Sequence, residues 1–328
     1  MKGNGDSGEV IVVGSGVIGL TTAVVLAGQG RRVRVWTREP AGETTSAVAG
    51  ALWWPYRIEP QERVGAWSLT SLRVHEELAA RPEETGVRLV PGVHAGVLLD
   101  GLGPWARQVA DLRQLPADEV PAGHGSALAA RLPLVDMPVH LAWLRARLEA
   151  AGGAVETREV RSPAEAAAEA PVVVNCTGLG ARELVPDPEV TAVRGQLVLV
   201  ENPGITSWFT AADEASSATT YFFPQPGRLI LGGTADEGHG ASAPDRVPDP
   251  ATAAAIVERC ARIRPEIADA RVLGHRVGLR PVRSKGVRLE RDGEAPAAGT
   301  QLIHNYGHGG AGVTVAWGCA YAVASLLG

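Results

Sequence analysis

Residues 10–19, VIVVGSGVIG, limit most strongly what this chain can fold into. Val10–Val13 reads as a short, fully apolar strand, and Gly14, Gly16 and Gly19 follow it at GxGxxG spacing. Residues 21–27 continue as a helix of small side chains and 33–36 as a second strand. The physics asks for those glycines: the first for a tight turn, the second so that backbone can meet a pyrophosphate, the third so that helix packs on sheet. The N–H groups opening the helix favour an anion by about 0.3–1 kcal/mol. A dinucleotide, FAD or NAD(P), is the expected ligand; a merely tight turn is the alternative. The motif does not choose between nucleotides. The second strand runs out as Trp36-Thr37-Arg38-Glu39 with no clear ribose-binding acid, and Arg38 suits a 2′-phosphate as well as a solvated loop.

Composition narrows the class. In 328 residues, 45% hydrophobic and 20% charged, the chain is globular, with room for one large domain or two interleaved ones. A net charge of −5 without a basic run argues against nucleic acid or an anionic membrane as partner. Cys176, Cys260 and Cys319 are too scattered for a disulfide framework or a zinc site, and no metal is expected. The polar start, MKGNGDSGEV, reads as no signal peptide, the SLLG end as no address, and no apolar run approaches membrane length. A reducing, cytoplasmic location is expected.

The βα series does not continue. Residues 61–80 read as an amphipathic helix, 87–99 as a hairpin broken at Pro91-Gly92, and 139–151 as a helix closed by Gly152-Gly153. A second apolar strand, 172–176, runs into Thr177-Gly178. Then 193–200, 208–211, 219–223 and 229–231 read as strands of an antiparallel sheet, and 301–305 with the helix after Gly312 returns to the nucleotide unit. The nucleotide unit is interrupted.

These segments carry a resemblance. VIVVGSGVIGLTTA, TTSAVAGALWWPY, VVVNCTGLGA, RGQLVLVE, YFFPQPG, VGLRPVRSKGVRLE and HNYGHGGAGVTVAWGCA, in order along the chain, resemble the D-amino acid oxidase family. GLRPVR and HNYGHGG are far more specific than the glycine motif. The resemblance implies an α/β fold with a Rossmann-like FAD-binding domain (9–52, 139–185 and 272–328) interrupted by a substrate-binding domain (53–138 and 186–271) built on a large, mostly antiparallel sheet. It implies FAD as cofactor and a D-amino acid and O2 as reactants, giving H2O2 and an imino acid that hydrolyses to 2-oxo acid and ammonia. A homodimer is kept open as an assembly.

By the same resemblance the cofactor contacts begin with Gly14, Ser15, Gly16, Val17, Ile18 and Gly19, then Thr37 and Arg38. Thr44, Thr45 and Ser46 follow at the diphosphate and ribose, and Ala49, Gly50, Ala51 and Leu52 line the flavin, where small side chains let backbone approach a flat ring. Val160, Cys176, Thr177 and Gly178 complete the nucleotide side. Gly309, Gly310, Ala311, Gly312, Val313 and Thr314 form a second backbone cradle ahead of a helix, whose positive end suits an anionic flavin edge. The family holds FAD noncovalently; a covalent link through Cys319 is the alternative. His304 and His308 straddle a glycine turn with no third ligand and read as structural.

The catalytic residues implied are Arg280 and Tyr221. Arg276, Arg280 and Arg283 recur along one extended stretch, and Arg280 sits between Leu279 and Pro281, where a permanent charge needs a partner. Its planar fork suits a carboxylate; a structural ion pair is the alternative. Strand alternation sends Tyr221 and Phe223 to one face and Phe222 to the other. By resemblance Leu52, Trp54, Tyr221, Phe223, Arg280 and Gly310 border the substrate; for Trp53, core packing and a place on the pocket wall both stay open. Vertebrate members carry a second tyrosine where this chain has Ser217. No His or carboxylate dyad offers an acid/base, so positioning and hydride transfer to flavin N5 suffice. An apolar lining points to neutral, apolar or aromatic side chains. The alternatives are a D-aspartate oxidase, an NADP-dependent dehydrogenase and a non-catalytic nucleotide-binding protein.

Overall fold

Val10–Val13 (β1) is buried at every position, as a strand inside a parallel sheet covered on both faces must be. The computed structural model describes residues 8–212, 218–237 and 246–328. Further strands are β2 (Val33–Thr37), β3 (Val87–Ala95), β4 (Arg113–Gln114), β5 (Ala127–Val135), β6 (Ala154–Thr157), β7 (Val172–Asn175) and β8 (Val190–Val200). They continue as β9 (Trp208–Ala212), β10 (Ala218–Gln225), β11 (Arg228–Thr234), β12 (Asp236–Glu237), β13 (Val272–Arg283), β14 (Arg288–Arg291) and β15 (Gln301–Tyr306). The long helices are α1 (Val17–Gly28), α2 (Gln61–Leu78), α3 (Met137–Ala150), α4 (Pro250–Ile263) and α5 (Gly312–Leu327).

Among the described residues these strands make two sheets. The first has the order β14-β15-β7-β1-β2-β6 and is parallel except for β14. Val10 and Val12 face the helical layer of α1, α3 and α5, while Ile11 and Val13 face the opposite layer with Trp36. Because β1, β2, β7 and β15 all point the same way, the loops after them collect at one sheet edge, where ligands of open α/β sheets bind.

The second sheet runs β12-β8-β11-β10-β9-β3-β5-β4, with β13 also lying along β8. Only the β3–β9 pair is parallel. Tyr221 and Phe223 point to the face packed on Trp53 and Leu72, and Phe222 points to the α4 face. One expectation needs correction. The 87–99 hairpin does not form: β3 runs unbroken through Pro91-Gly92, paired to Arg131 and Ala130. The Trp208 indole, whose Nε1 donates to the Val90 carbonyl at 2.8 Å, holds this turn-prone dipeptide extended, so packing overrides local preference. Residues 272–283 pair along β8 of the second sheet, so β13 lies at the boundary of the two sheets.

The helical layer buries two histidines, His75 on α2 and His140 on α3, with ring centroids 5.9 Å apart. His75 Nε2 meets the Val313 carbonyl at 3.2 Å and His140 Nδ1 the Thr85 carbonyl at 2.8 Å; the other nitrogen of each ring is enclosed without a partner. Burial pushes His75 down to about 3, with His140 adding repulsion, and His140 down to about 4. In the unfolded chain each protonates near pH 6.5. Stability is therefore full above about pH 6.5 and falls by about 1.4 kcal/mol per pH unit per histidine as pH drops toward 4. Melting of the holoprotein is expected at lower temperature at pH 5 than at pH 7; a midpoint constant over that range would contradict this.

Candidate active site

One cavity of about 660 Å³ lies where the loop edge of the first sheet meets the second sheet, and it touches both Arg38 and Arg280. At the Arg38 end, Ser15 Oγ and Thr37 Oγ1 share a hydrogen bond of 2.8 Å that ties the glycine loop to the end of β2. Arg38 is exposed and has no acidic partner among the described residues. Val160 lines this end, and beside it Arg158 lies 3.8 Å over the Trp36 ring. Sequence reasoning missed Arg158, which becomes a wall only because β6 pairs with β2.

Further in, the wall is Gly14, Ser15, Gly16, Val17 and Ile18 together with Thr44, Thr45 and Ser46. Ser46 Oγ accepts from the Val17 N–H at 3.0 Å, and Thr45 Oγ1 donates to the Leu279 carbonyl at 3.0 Å, fastening this segment to α1 and to β13. Cys176, Thr177 and Gly178 close the floor. Burial raises the Cys176 thiol to about 12, so it stays protonated and unreactive. Ala49, Gly50, Ala51 and Leu52 line the same cavity as Gly309, Gly310, Gly312 and Val313.

Three expected contacts are absent from its wall. Gly19 is the packing glycine, where an added Cβ would meet the Gly14 carbonyl oxygen at 1.9 Å. Ala311 is 1% exposed within the α1–α5 core. Thr314 spends its hydroxyl on the Trp54 backbone, donating to the carbonyl at 2.9 Å and accepting from the N–H at 3.2 Å. Cys319 is buried inside α5 and does not line the cavity.

At the far end stand Arg280, Tyr221, Phe223, Leu52, Trp54 and Gly310. Arg283 is paired with Asp187 at 2.8 Å, and Arg276 donates to the Ala47 carbonyl at 3.1 Å outside the cavity. Arg280 has no acidic partner among the described residues; its Nη1 donates to the Thr234 carbonyl at 2.8 Å. Burial pushes the Tyr221 phenol up to about 12, against the pull of the neighbouring Arg280 charge, so it remains a donor. Two glycines make room: a Cβ on Gly195 would lie 2.4 Å from Arg280 Nη2, and one on Gly232 would lie 2.0 Å from Tyr221 Cζ. Neither was legible as a site residue, because each acts through a neighbouring strand. Trp53 is core, its Nε1 donating to the Ser68 carbonyl at 3.0 Å. His304 is structural, bonded to Asp292 at 2.7 Å. His308 is buried and also lines the cavity, with Nε2 enclosed and unpartnered. Ser217 lies outside the described residues.

The residues fit a flavin dinucleotide. The α1 and α5 N-termini both end on the cavity, offering positive poles to a diphosphate and to an electron-rich ring. Small residues leave a slot between them, and Tyr56 Oη and His308 Nε2 are enclosed polar atoms without protein partners.

Comparisons with known proteins agree. The chain is 65% identical over 319 residues to a D-amino-acid oxidase of Streptomyces coelicolor, covering 97% of this chain and 96% of that protein. It is 47% identical over 324 residues to a D-amino-acid oxidase of Rubrobacter xylanophilus, covering 98% and 96%. The solved glycine oxidase of Geobacillus kaustophilus shares the fold, with a TM-score of 0.82 at 21% identity over 98% of this chain and 94% of that one. With a family model described as FAD dependent oxidoreductase matching residues 9–326, the chain belongs to the DAO family, and FAD is its cofactor.

Proposed function

We propose that the chain is a D-amino-acid oxidase in which Arg280 and Tyr221 hold the substrate α-carboxylate. What carries the reading is that Arg280, alone of the three arginines on β13, lines the cavity, and does so with no acidic partner among the described residues. A bidentate guanidinium–carboxylate pair with a phenol donor beside it fixes the α-carbon. Leu52, Trp54 and Phe223 then enclose the reacting carbon and keep water from it. FAD, held between the glycine loop of α1 and the Gly309–Gly312 cradle, would supply the hydride acceptor and the path of electrons to O2 that yields H2O2. The chain's own acids and bases are not needed for the α-hydrogen, and Tyr221, protonated, serves as donor and not base.

Residues 9–52, 139–185 and 272–328 form the cofactor unit in this proposal, and 53–138 with 186–271 the substrate unit, β13 being the strand they share. Neutral, apolar or aromatic side chains are the proposed substrates. Arg57 and Arg246, exposed on the cavity wall, favour a second reading in which the side chain is acidic. No helix among the described residues is long and apolar enough to cross a membrane. A homodimer and a cytoplasmic location belong to the proposal and are tested by light scattering and by cell fractionation.

Anaerobic titration of the purified holoprotein with D- and L-amino acids tests the function. Bleaching of the flavin by D-leucine or D-phenylalanine, and not by the L-enantiomers, is expected. Bleaching by L-enantiomers alone overturns the reading, and bleaching by D-aspartate alone promotes the acidic-substrate reading.

A further inference from the structure

Beyond Tyr221 the cavity wall turns polar, against the apolar lining read from the sequence. Strand register sets His94 of β3 beside Thr210 of β9, and Thr210 beside Tyr221 of β10, so that three side chains form one row across the sheet. All three line the cavity. His94 Nδ1 and Thr210 Oγ1 are hydrogen-bonded to each other, and the Trp54 ring lies 4.7 Å from the imidazole. Burial, with no charged partner opposing it, lowers the imidazole to about 4, so it is neutral at neutral pH.

The other ring nitrogen is the informative atom. Among the described residues no protein group bonds His94 Nε2, and unlike His308 Nε2 it is not sealed off. It presents an accessible polar atom in a cavity that also holds Arg280. Whichever tautomer the Thr210 contact selects, Nε2 is either an acceptor or a donor. An apolar group placed against it would leave it desolvated and unpaired, which costs about 1–3 kcal/mol. The distance suits a short side chain. Neighbouring strands lie roughly 4.8 Å apart, so His94 is about 10 Å along the row from Tyr221. A hydrogen bond from the phenol to a carboxylate takes up roughly 3 Å of that. The α-carbon and two or three further bonds span the remainder.

We propose that His94 and Thr210 form a side-chain subsite that takes the hydrogen-bonding end of the substrate, an amide or hydroxyl as in D-asparagine or D-glutamine. This rests on the D-amino-acid oxidase reading and changes its substrate class from apolar to polar uncharged. The Trp54 ring, tilted 40° to the imidazole with centroids 4.7 Å apart, packs against it as a neighbouring wall.

The test is the ratio of kcat/KM for D-asparagine to that for D-leucine, side chains of nearly the same shape that differ in the amide. A wild-type ratio above one is expected, falling by about 10- to 100-fold in His94→Leu and about 10-fold in Thr210→Val, by loss of D-asparagine turnover. Thr210→Val keeps shape and carries the test should His94→Leu fail to fold. Ratios unchanged within threefold in the variants overturn the subsite, as does a wild-type preference for D-leucine over both D-asparagine and D-glutamine by more than tenfold. If no D-amino acid bleaches the flavin, it is the oxidase reading itself that fails.

Discussion

Arg280→Met is expected to lose substrate binding and keep its flavin. Of the three arginines on β13, Arg280 is the one that lines the cavity, since Arg283 is committed to Asp187 and Arg276 lies outside it. Hydrogen bonds to a charged group contribute about 1.5–3 kcal/mol each, so removing a bidentate pair predicts a fall of roughly 10²- to 10⁴-fold in kcat/KM. Most of it falls on KM, because the carboxylate is held equally in ground and transition states. Arg280→Lys keeps charge but not the fork, and is expected between the two. Flavin absorbance per protein should be unchanged, since Arg280 stands at the opposite end of the cavity from Arg38. Steady-state kinetics with D-leucine and D-asparagine read this directly; wild-type KM in Arg280→Met means that another group binds the carboxylate.

What was legible in the sequence followed from local rules. Val10–Val13 with its glycines, the alternation of Tyr221, Phe222 and Phe223, and the burial of Trp53 beside a half-buried, cavity-lining Trp54 each depend on residues close in the chain. Arg280 was legible because an unpaired charge between Leu279 and Pro281 asks for a partner wherever it lies. What stayed hidden depends on which strands become neighbours. His94 lies 116 residues from Thr210, and no spacing rule connects them before β3 is seen to pair with β9. The Pro91-Gly92 reading failed for the same reason: a local turn signal was outweighed by Trp208 from a distant strand.

The glycines under Arg280 and Tyr221 turn that hidden layer into a second large effect. Gly195→Ala would put a methyl 2.4 Å from Arg280 Nη2 and 2.6 Å from Cζ, so the guanidinium must move. It is the end of a flexible side chain and can swing aside with little cost to the fold, but a carboxylate clamp displaced by about 1 Å costs roughly 10²-fold in rate. Gly195→Ala is therefore expected to melt within a few degrees of wild type and to lose about 10²-fold in kcat/KM. Gly232→Ala is a harder case, because its methyl would fall 2.0 Å from Tyr221 Cζ and 2.3 Å from Oη. That ring is stacked on Phe223 with centroids 4.7 Å apart and cannot step aside alone. Overpacking of this kind costs about 1–3 kcal/mol, so Gly232→Ala should lose stability as well as activity. The contrast is the diagnostic: the two variants share a kinetic defect and differ in melting temperature. Wild-type kcat/KM in Gly195→Ala would mean that the seating of Arg280 on β8 does not position the substrate.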